Sequence, residues 1–146
     1  MRLLDDEELG RVYLAEVRDE LFHGVSRASQ PRLIVVGGQP GAGKSAAVLA
    51  AAAELRRDGH GVAVINGDEL RALHPLYADL VAQDRSTAAD KTGPDVGKWV
   101  ERGIREAAAE GFSTVVETTM RQPAVVGATL QQFRRAGHGI EMHVLA

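Results

Sequence analysis

The sequence has 146 residues, of which 45% are hydrophobic and 25% charged, so it has the length of one domain and the composition of a globular protein. Because it contains no cysteine, disulfides, thiolate zinc sites and cysteine nucleophiles are excluded. The net charge of −3 argues against a nucleic-acid partner, and the acidic N-terminus and short apolar runs predict a cytoplasmic protein without a membrane partner.

The first half of the chain alternates helical and strand-like patterns. Apolar residues recur at helical spacing from Leu9 to Phe22 and predict an N-terminal helix, which a polar connector follows up to residue 30. Unbroken apolar runs at residues 33–36 and 62–65 predict two parallel strands that are buried on both faces. The alanine-rich stretch 46–57 between them predicts a helix, and a short helix is expected over residues 69–73.

The second half continues the alternation after a polar stretch. Residues 82–94 are polar and irregular, which predicts a mobile loop. Beyond it we expect a helix over residues 95–109, a third strand over 112–116, a helix over 123–135 and a fourth strand over 140–145. Strands that alternate with long helices predict right-handed crossovers and a mainly parallel sheet.

A glycine-rich loop lies between the first predicted strand and the helix that follows it. It reads Gly38-Gln39-Pro40-Gly41-Ala42-Gly43-Lys44-Ser45, which has the spacing of a phosphate-binding loop and is called the phosphate loop below. Glycines allow the backbone N–H groups to turn inward and bind an anion, and the next helix adds the positive end of its dipole. The alternative, a chance glycine-rich turn, is disfavoured by the flanking strand and helix.

The phosphate loop predicts the ligand and the fold. We expect ATP or GTP to bind at residues Gly38, Gln39, Pro40, Gly41, Ala42, Gly43, Lys44, Ser45 and Ala46. The Lys44 ammonium is expected to contact the β- and γ-phosphates, and the Ser45 hydroxyl to ligate Mg²⁺. The predicted fold is α/β, a P-loop kinase three-layer sandwich of about four mainly parallel strands in the order 2-3-1-4, with helices on both faces. We expect one domain, with residues 1–30 as N-terminal helix and connector and residues 31–146 as the nucleotide-binding and substrate-binding core.

The turn after the second predicted strand carries a carboxylate and an arginine. The carboxyl end of a strand near the nucleotide-binding strand faces the γ-phosphate in such sheets, and Asp68 stands there. A carboxylate at this point can accept the proton of an attacking hydroxyl, and Arg71 can pair with an anionic acceptor. In the alternative, Asp68 caps a helix and Arg71 is its solvated partner. His74 is compatible both with a ligand contact and with a structural hydrogen bond.

Three blocks resemble the zeta toxin family, the P-loop kinases of bacterial toxin–antitoxin modules. They are the loop from Gly37 to Ser45, the pattern Asp68-x-x-Arg71-x-x-His74-Pro75-x-Tyr77, and the strand end Glu117-Thr118-Thr119-Met120-Arg121. The resemblance covers residues 31–146. It implies phosphorylation of the 3′-hydroxyl of the sugar in UDP-N-acetylglucosamine, which starves peptidoglycan synthesis, and a small helical antitoxin as partner.

The resemblance also implies roles for individual residues. Asp68 would be the base that activates the sugar hydroxyl, with Lys44 and Arg71 as the other catalytic residues and Ser45 at the metal. The implied substrate-binding residues are Asp68, Glu69, Arg71, His74, Glu101, Glu117, Thr119, Arg121 and Thr129. Without the resemblance, Glu101 would be interpreted as a solvated residue on a charged helix face, whereas Glu117 closes an apolar strand at the ligand end of the sheet.

Two departures from the family pattern keep other functions open. Thr118 replaces a glycine and adds a side chain beside the substrate, which leaves the identity of the acceptor open. The chain ends at Ala146, so we expect the C-terminal part of the family fold, with its phosphate-gripping arginines, to be missing. One alternative is another P-loop small-molecule kinase for an antibiotic, sugar or nucleotide-conjugate acceptor, and the other is a catalytically weak, truncated nucleotide-binding module. A GTPase switch is disfavoured because no Asn-Lys-x-Asp segment is present.

Overall fold

The computed structural model describes residues 1–145; Ala146, the last residue of the predicted core, lies outside the described residues. The chain divides into two compact units. The helical unit consists of Met1–His23 and Asn66–Gly103, and the sheet unit consists of Gly24–Ile65 and the chain from Ile104 onwards. Our expectation of a single domain with a boundary near residue 30 stays a prediction.

Most of the described chain is helix or strand. The elements are, in chain order, α1 Asp6–Val12, a π-helix Tyr13–Val17, α2 Arg18–Phe22, β1 Arg32–Gly38, α3 Lys44–Arg56, β2 Ala63–Ile65, α4 Gly67–Leu70, a 3₁₀ helix Arg71–Leu73, α5 Tyr77–Gln83, α6 Arg85–Glu110, β3 Thr114–Thr118, α7 Pro123–Arg135 and β4 Gly139–Leu145. None of the helices within residues 1–145 combines the length and the apolar character that a membrane span requires.

The sheet unit contains a four-stranded sheet in the order β2-β3-β1-β4. Strand β1 pairs in parallel with both β3 and β4, and β2 pairs in parallel with β3. The predicted α/β class and strand order are therefore confirmed. Helix α7 has the predicted bounds, whereas β3 begins two residues later than expected and extends to Thr118, so that Glu117 and Thr118 belong to the strand.

The core of the sheet unit explains why β1 is so apolar. On one face, Ile34 and Val36 of β1 and Val115 of β3 form a buried cluster with Ala51 and Leu55 of α3. The alternate β1 residues, Leu33 and Val35, are buried as well. Successive side chains of a strand point to opposite faces, so both faces of β1 are covered.

The helical unit is organised around the N-terminal helices and α6. The Asp5 carboxylate accepts the backbone N–H of Glu8 at 2.8 Å and so caps α1. The indole Nε1–H of Trp99 on α6 donates to the Leu9 carbonyl at 3.0 Å, and the Arg102 guanidinium lies 4.3 Å from the centre of the Tyr13 ring. The hydrogen bond thus connects α1 to α6, and the cation–π contact connects the π-helix to α6.

The prediction of a mobile loop over residues 82–94 is wrong, because nearly all of this stretch is helical. Helix α5 ends at Gln83 and α6 begins at Arg85. Between them, the Asp84 side chain accepts the backbone N–H of Ser86 at 3.0 Å. The first turns of α6 bury Ala88, Thr92 and Asp95, a stripe at helical spacing. The sequence pattern did not predict this helix because the buried residues of the stripe are small or polar. Pro94 lies inside α6 with its side chain exposed.

Candidate active site

The phosphate loop connects β1 to α3 and has the backbone geometry of an anion site. Gly41 and Gly43 have φ angles of 84° and 88°, a region that residues with a side chain rarely adopt. Gly43 is the N-cap of α3 and offers no side chain to cap it. Within residues 1–145 no acceptor is recorded for the backbone N–H groups of Lys44, Ser45 or Ala46. Unpaired N–H groups at a helix N-terminus fit a phosphate group.

The side chains of the phosphate loop fit the same ligand. Lys44 is half-buried at the first position of α3 and has no carboxylate partner among the described residues, and Ser45 is exposed beside it. A lysine without a counter-ion is suited to phosphate oxygens, and an exposed hydroxyl can ligate Mg²⁺. Within residues 1–145 there is no cluster of three or more acidic or histidine side chains that could hold a metal ion by itself.

Close contacts explain why β1 ends in two glycines, Gly37 and Gly38. A Cβ atom on Gly37 would lie 2.6 Å from the Met120 sulfur, and one on Gly38 would lie 3.0 Å from the Leu145 carbonyl oxygen. A contact of 2.6 Å is too short for a Cβ atom, so Gly37 excludes a side chain unless Met120 moves, whereas a side chain on Gly38 would require the Leu145 carbonyl to shift by a few tenths of an ångström. Met120 therefore packs directly against the end of β1, where the phosphate loop begins.

Met120 itself has a strained backbone that Thr118 supports. Its φ angle is 63°, a left-handed value that is uncommon for a residue with a side chain. The Thr118 hydroxyl oxygen accepts the Met120 N–H at 3.2 Å, which closes a turn directly after β3. Thr118, where the family pattern has glycine, thus shapes the loop that carries Thr119 and Arg121. Sequence analysis missed Met120, although a threonine two residues before a sharp turn is a recognisable signal.

Glu117 lies at the carboxyl end of β3, on the strand next to β1. Its Cα partner in the ladder is Val36, two residues before the phosphate loop. Val36 belongs to the cluster that packs against α3, and paired residues of parallel strands share a face. The sheet unit thus places Glu117 on the α3 face. Thr119 is half-buried, Arg121 is exposed, and the Thr129 hydroxyl donates to the Val125 carbonyl within α7.

The second group of candidate residues lies in the helical unit, in residues 66–74, named the Asp68 turn below. The side chain of Asn66 accepts the Asp68 N–H at 2.9 Å and caps α4, so the alternative in which Asp68 caps this helix is wrong. The Asp68 carboxylate instead accepts the Arg71 guanidinium at 2.8 Å. The Asp68 side chain is 81% exposed, whereas that of Arg71 is 20% exposed. The carboxylate is therefore open to solvent, and the arginine that it contacts is largely buried.

Glu69 and Glu101 have open surroundings. Glu69 is exposed and follows Asp68 on α4. Glu101 is exposed on α6, where its nearest recorded partner is the Lys98 ammonium at 3.6 Å. An exposed pair at this distance contributes little to stability. The substrate-binding roles of both glutamates stay predictions.

His74 forms a buried pair with Asp95. Its Nε2 atom lies 2.7 Å from the Asp95 Oδ2 atom, and neither side chain is exposed. Its Nδ1 atom accepts the Leu76 N–H at 3.1 Å, so the ring proton lies on Nε2 and points to Asp95. The structural hydrogen bond that sequence analysis left open is therefore present, and a substrate contact of His74 stays a prediction. Asp95 was missed, because a lone aspartate after a proline resembles a helix start.

Comparison with known proteins identifies the family that these motifs resemble. The Zeta toxin family model matches residues 15–146. The chain is 27% identical over 133 residues to Toxin PezT of Streptococcus pneumoniae serotype 4, and this match covers 91% of the chain and 51% of the relative. It is also 27% identical over 133 residues to Toxin zeta of Enterococcus hirae, covering 91% of the chain and 46% of that relative.

A solved structure gives the same result for the fold. It comes from the PezAT chromosomal toxin–antitoxin system of the human pathogen Streptococcus pneumoniae and matches with a TM-score of 0.84 at 26% sequence identity. The match covers 97% of this chain and 57% of the solved chain. The chain spans about half the length of the curated relatives it matches, 51% of one and 46% of the other.

Proposed function

Because the chain belongs to the zeta toxin family, we propose that it binds ATP or GTP with Mg²⁺ and transfers the terminal phosphoryl group to a small-molecule hydroxyl. The proposed acceptor is the 3′-hydroxyl of the sugar in UDP-N-acetylglucosamine, by resemblance to the family. The observation that carries the proposal is the phosphate loop, whose positive-φ glycines precede helix N–H groups without an acceptor within residues 1–145.

The sheet unit supplies the nucleotide-binding residues of this proposal. Residues 38–46 surround the phosphates, which accept the backbone N–H groups of Lys44, Ser45 and Ala46, and the Lys44 ammonium neutralises charge on the group that is transferred. Ser45 would hold Mg²⁺, which supplies further neutralisation of the phosphate oxygens when it is bound. Glu117, Thr119, Arg121 and Thr129 are proposed to contact the acceptor.

The helical unit supplies the base. Asp68 is not used to cap α4, and Arg71 engages only its Oδ1 atom, so its carboxylate can accept the proton of the attacking hydroxyl. In-line attack of the resulting oxygen on the γ-phosphorus then breaks the bond to the leaving nucleoside diphosphate. Arg71 keeps the carboxylate oriented and offers further N–H groups to an anionic acceptor. Glu69, His74 and Glu101 are proposed to contribute to acceptor binding.

The partner and compartment follow from the same proposal. The pneumococcal relative of known structure belongs to a toxin–antitoxin system. We propose that this chain likewise has a small helical antitoxin as partner and acts in the cytoplasm, where its nucleotide and nucleotide-sugar substrates are made.

The test is transfer of ³²P from labelled ATP to UDP-N-acetylglucosamine by the wild type and two variants, with nucleotide binding measured separately. Lys44→Ala should weaken both binding and transfer, whereas Asp68→Asn should remove transfer and leave binding intact. Lys91→Ala and Asp79→Asn, which change exposed residues outside the proposed site, are the controls. Labelling of a different hydroxyl compound would identify another small-molecule kinase. Binding without transfer to any acceptor would identify a nucleotide-binding module.

A further inference from the structure

A buried carboxylate lies behind the Asp68 turn and has no role in the function proposed above. From the contacts of Asp95 with His74, we propose that Asp95 is a positioning residue, which acts through the His74 ring to fix the turn that carries Asp68 and Arg71. This inference rests on the proposed function for the role of Asp68, and it assigns the His74–Asp95 pair to that function.

Asp95 has the contacts of a carboxylate with a structural task. Its Oδ2 atom accepts the His74 ring at 2.7 Å and the backbone N–H groups of Leu3 and Leu4 at 3.1 Å each. Its side chain is fully buried, and its Oδ1 atom has no partner within residues 1–145. Burying a carboxylate is costly, and three donors on one oxygen offset that cost only where their geometry is kept.

The His74 ring cannot turn without losing a hydrogen bond. Nε2–H donates to Asp95 and Nδ1 accepts the Leu76 N–H, so both nitrogens are used and the tautomer is defined. The ring centre lies 5.9 Å from that of Trp99, whose own N–H is bound to the Leu9 carbonyl. Asp95 and Trp99 thus hold one orientation of the ring from α6.

The backbone of His74 carries this orientation to the Asp68 turn. The 3₁₀ helix Arg71–Leu73 ends at His74, whose N–H donates to the Arg71 carbonyl at 3.1 Å. The Arg71 side chain is mostly covered, and its Nε atom is buried without a partner within residues 1–145. The Arg71 guanidinium is in turn the contact recorded for the exposed Asp68 carboxylate, at 2.8 Å. A shift of His74 therefore moves Arg71 and releases Asp68.

Amide hydrogen exchange and NMR of the histidine ring test the proposal on the full chain. In the wild type, the ring nitrogen spectrum of His74 should show the Nε2–H tautomer. In Asp95→Asn, exchange of the Glu69, Leu70 and His74 amides, which all donate within the turn, should accelerate about tenfold, while amides of β1 and β3 stay unchanged. Asp90→Asn, an exposed neighbour on the same helix, is the matched control and should change neither.

Kinetics add a measurement that a merely stabilising residue would not change. Asp95→Asn should lower kcat roughly 10-fold to 100-fold, because a misplaced base loses alignment, and leave the nucleotide Kd unchanged. His74→Gln should have an effect in the same direction, since its amide nitrogen can take the place of Nε2, but its oxygen is one bond further from the backbone than the Nδ1 atom that accepts the Leu76 N–H.

Several results would overturn the proposal. One is the Nδ1–H tautomer in the wild type, and another is unchanged exchange in the Asp68 turn of Asp95→Asn. A third is amide exchange in Asp95→Asn that accelerates as much in β1 and β3 as in the Asp68 turn, which would show that the pair supports the whole fold. Asp68→Asn separates this inference from the proposed function. If Asp68→Asn still transfers phosphate, the role of Asp68 is wrong; if it does not and Asp95→Asn keeps full kcat, only the role of Asp95 is wrong.

Discussion

The phosphate loop and the Asp68 turn keep their chemical groups in place by different means. The phosphate loop depends on backbone: positive-φ glycines, a helix N-terminus and close packing of Met120 on Gly37. The Asp68 turn depends on side chains: a cap from Asn66, an ion pair with Arg71 and a buried pair of His74 with Asp95. Changes in the loop should therefore act on nucleotide binding, and changes in the turn should act on transfer.

The sharpest test of this difference is Asp68→Asn, which should have the largest effect. The amide has the size of the carboxylate but cannot take up the proton, so kcat should fall about 10²-fold to 10⁴-fold with an unchanged nucleotide Kd. Steady-state kinetics with labelled ATP and a fluorescent nucleotide titration measure the two quantities. A parallel loss of affinity would contradict the separation between the two regions.

A glycine substitution tests the loop in the opposite way. Gly43→Ala adds a methyl group at a φ of 88°, where nothing lies within 4 Å, so its effect is conformational and not steric. The left-handed backbone costs about 1–2 kcal/mol in a residue with a side chain, and nucleotide affinity should fall roughly tenfold. Isothermal titration calorimetry measures the change. Gly127→Ala on α7, also without neighbours within 4 Å, is the matched control and should not weaken binding.

The support of Met120 by Thr118 predicts a smaller effect. Thr118→Val keeps the shape of the side chain but removes the acceptor of the Met120 N–H, which should lower the free energy of unfolding by about 0.5–1.5 kcal/mol. Urea denaturation measures it. Ser29→Ala, at an exposed position of the connector before β1, controls for the loss of a hydroxyl. Equal stability of Thr118→Val and the wild type would mean that the strained turn does not need the hydroxyl.

The smallest effect concerns His138, which lies in neither region and serves as a reference for the sheet unit. Burial lowers the pKa of His138 below its ordinary value, although hydrogen bonds with the Phe112 and Phe133 backbone act in the opposite direction. The unfolded chain therefore binds this proton more readily, so the stabilisation is present above the ordinary histidine pKa and is lost as the pH falls towards the folded pKa.

The pH dependence can be measured directly. Between pH 7 and 5, the free energy of unfolding should decrease less in His138→Gln than in the wild type. NMR titration of the His138 ring checks the direction of its pKa shift. An equal pH dependence of the two proteins would show that His138 does not contribute.

Sequence patterns predicted the parts of the protein that short stretches of chain encode. The alternation of strands and helices, the bounds of α7 and the position of the phosphate loop rest on apolar runs, helical periodicity and glycine spacing, and the strand order was predicted from the P-loop fold that this loop indicates. The helix at residues 85–94 was missed because Ala88, Thr92 and Asp95 do not read as an apolar stripe. The sequence pattern of the Asp68 turn identified Asp68 and Arg71 but not the carboxylate behind them.

By itself, therefore, the sequence determined the α/β class, the family and the phosphate loop. Backbone geometry and burial require particular residue types at particular spacings, and these spacings can be recognised in the sequence. Only the tertiary structure decided which side chains meet. His74 and Asp95 are 21 positions apart, and Leu3 and Leu4 are 92 and 91 positions from Asp95. No local pattern records such a meeting, since a buried hydrogen bond depends on how distant elements pack and on which groups that packing leaves without water.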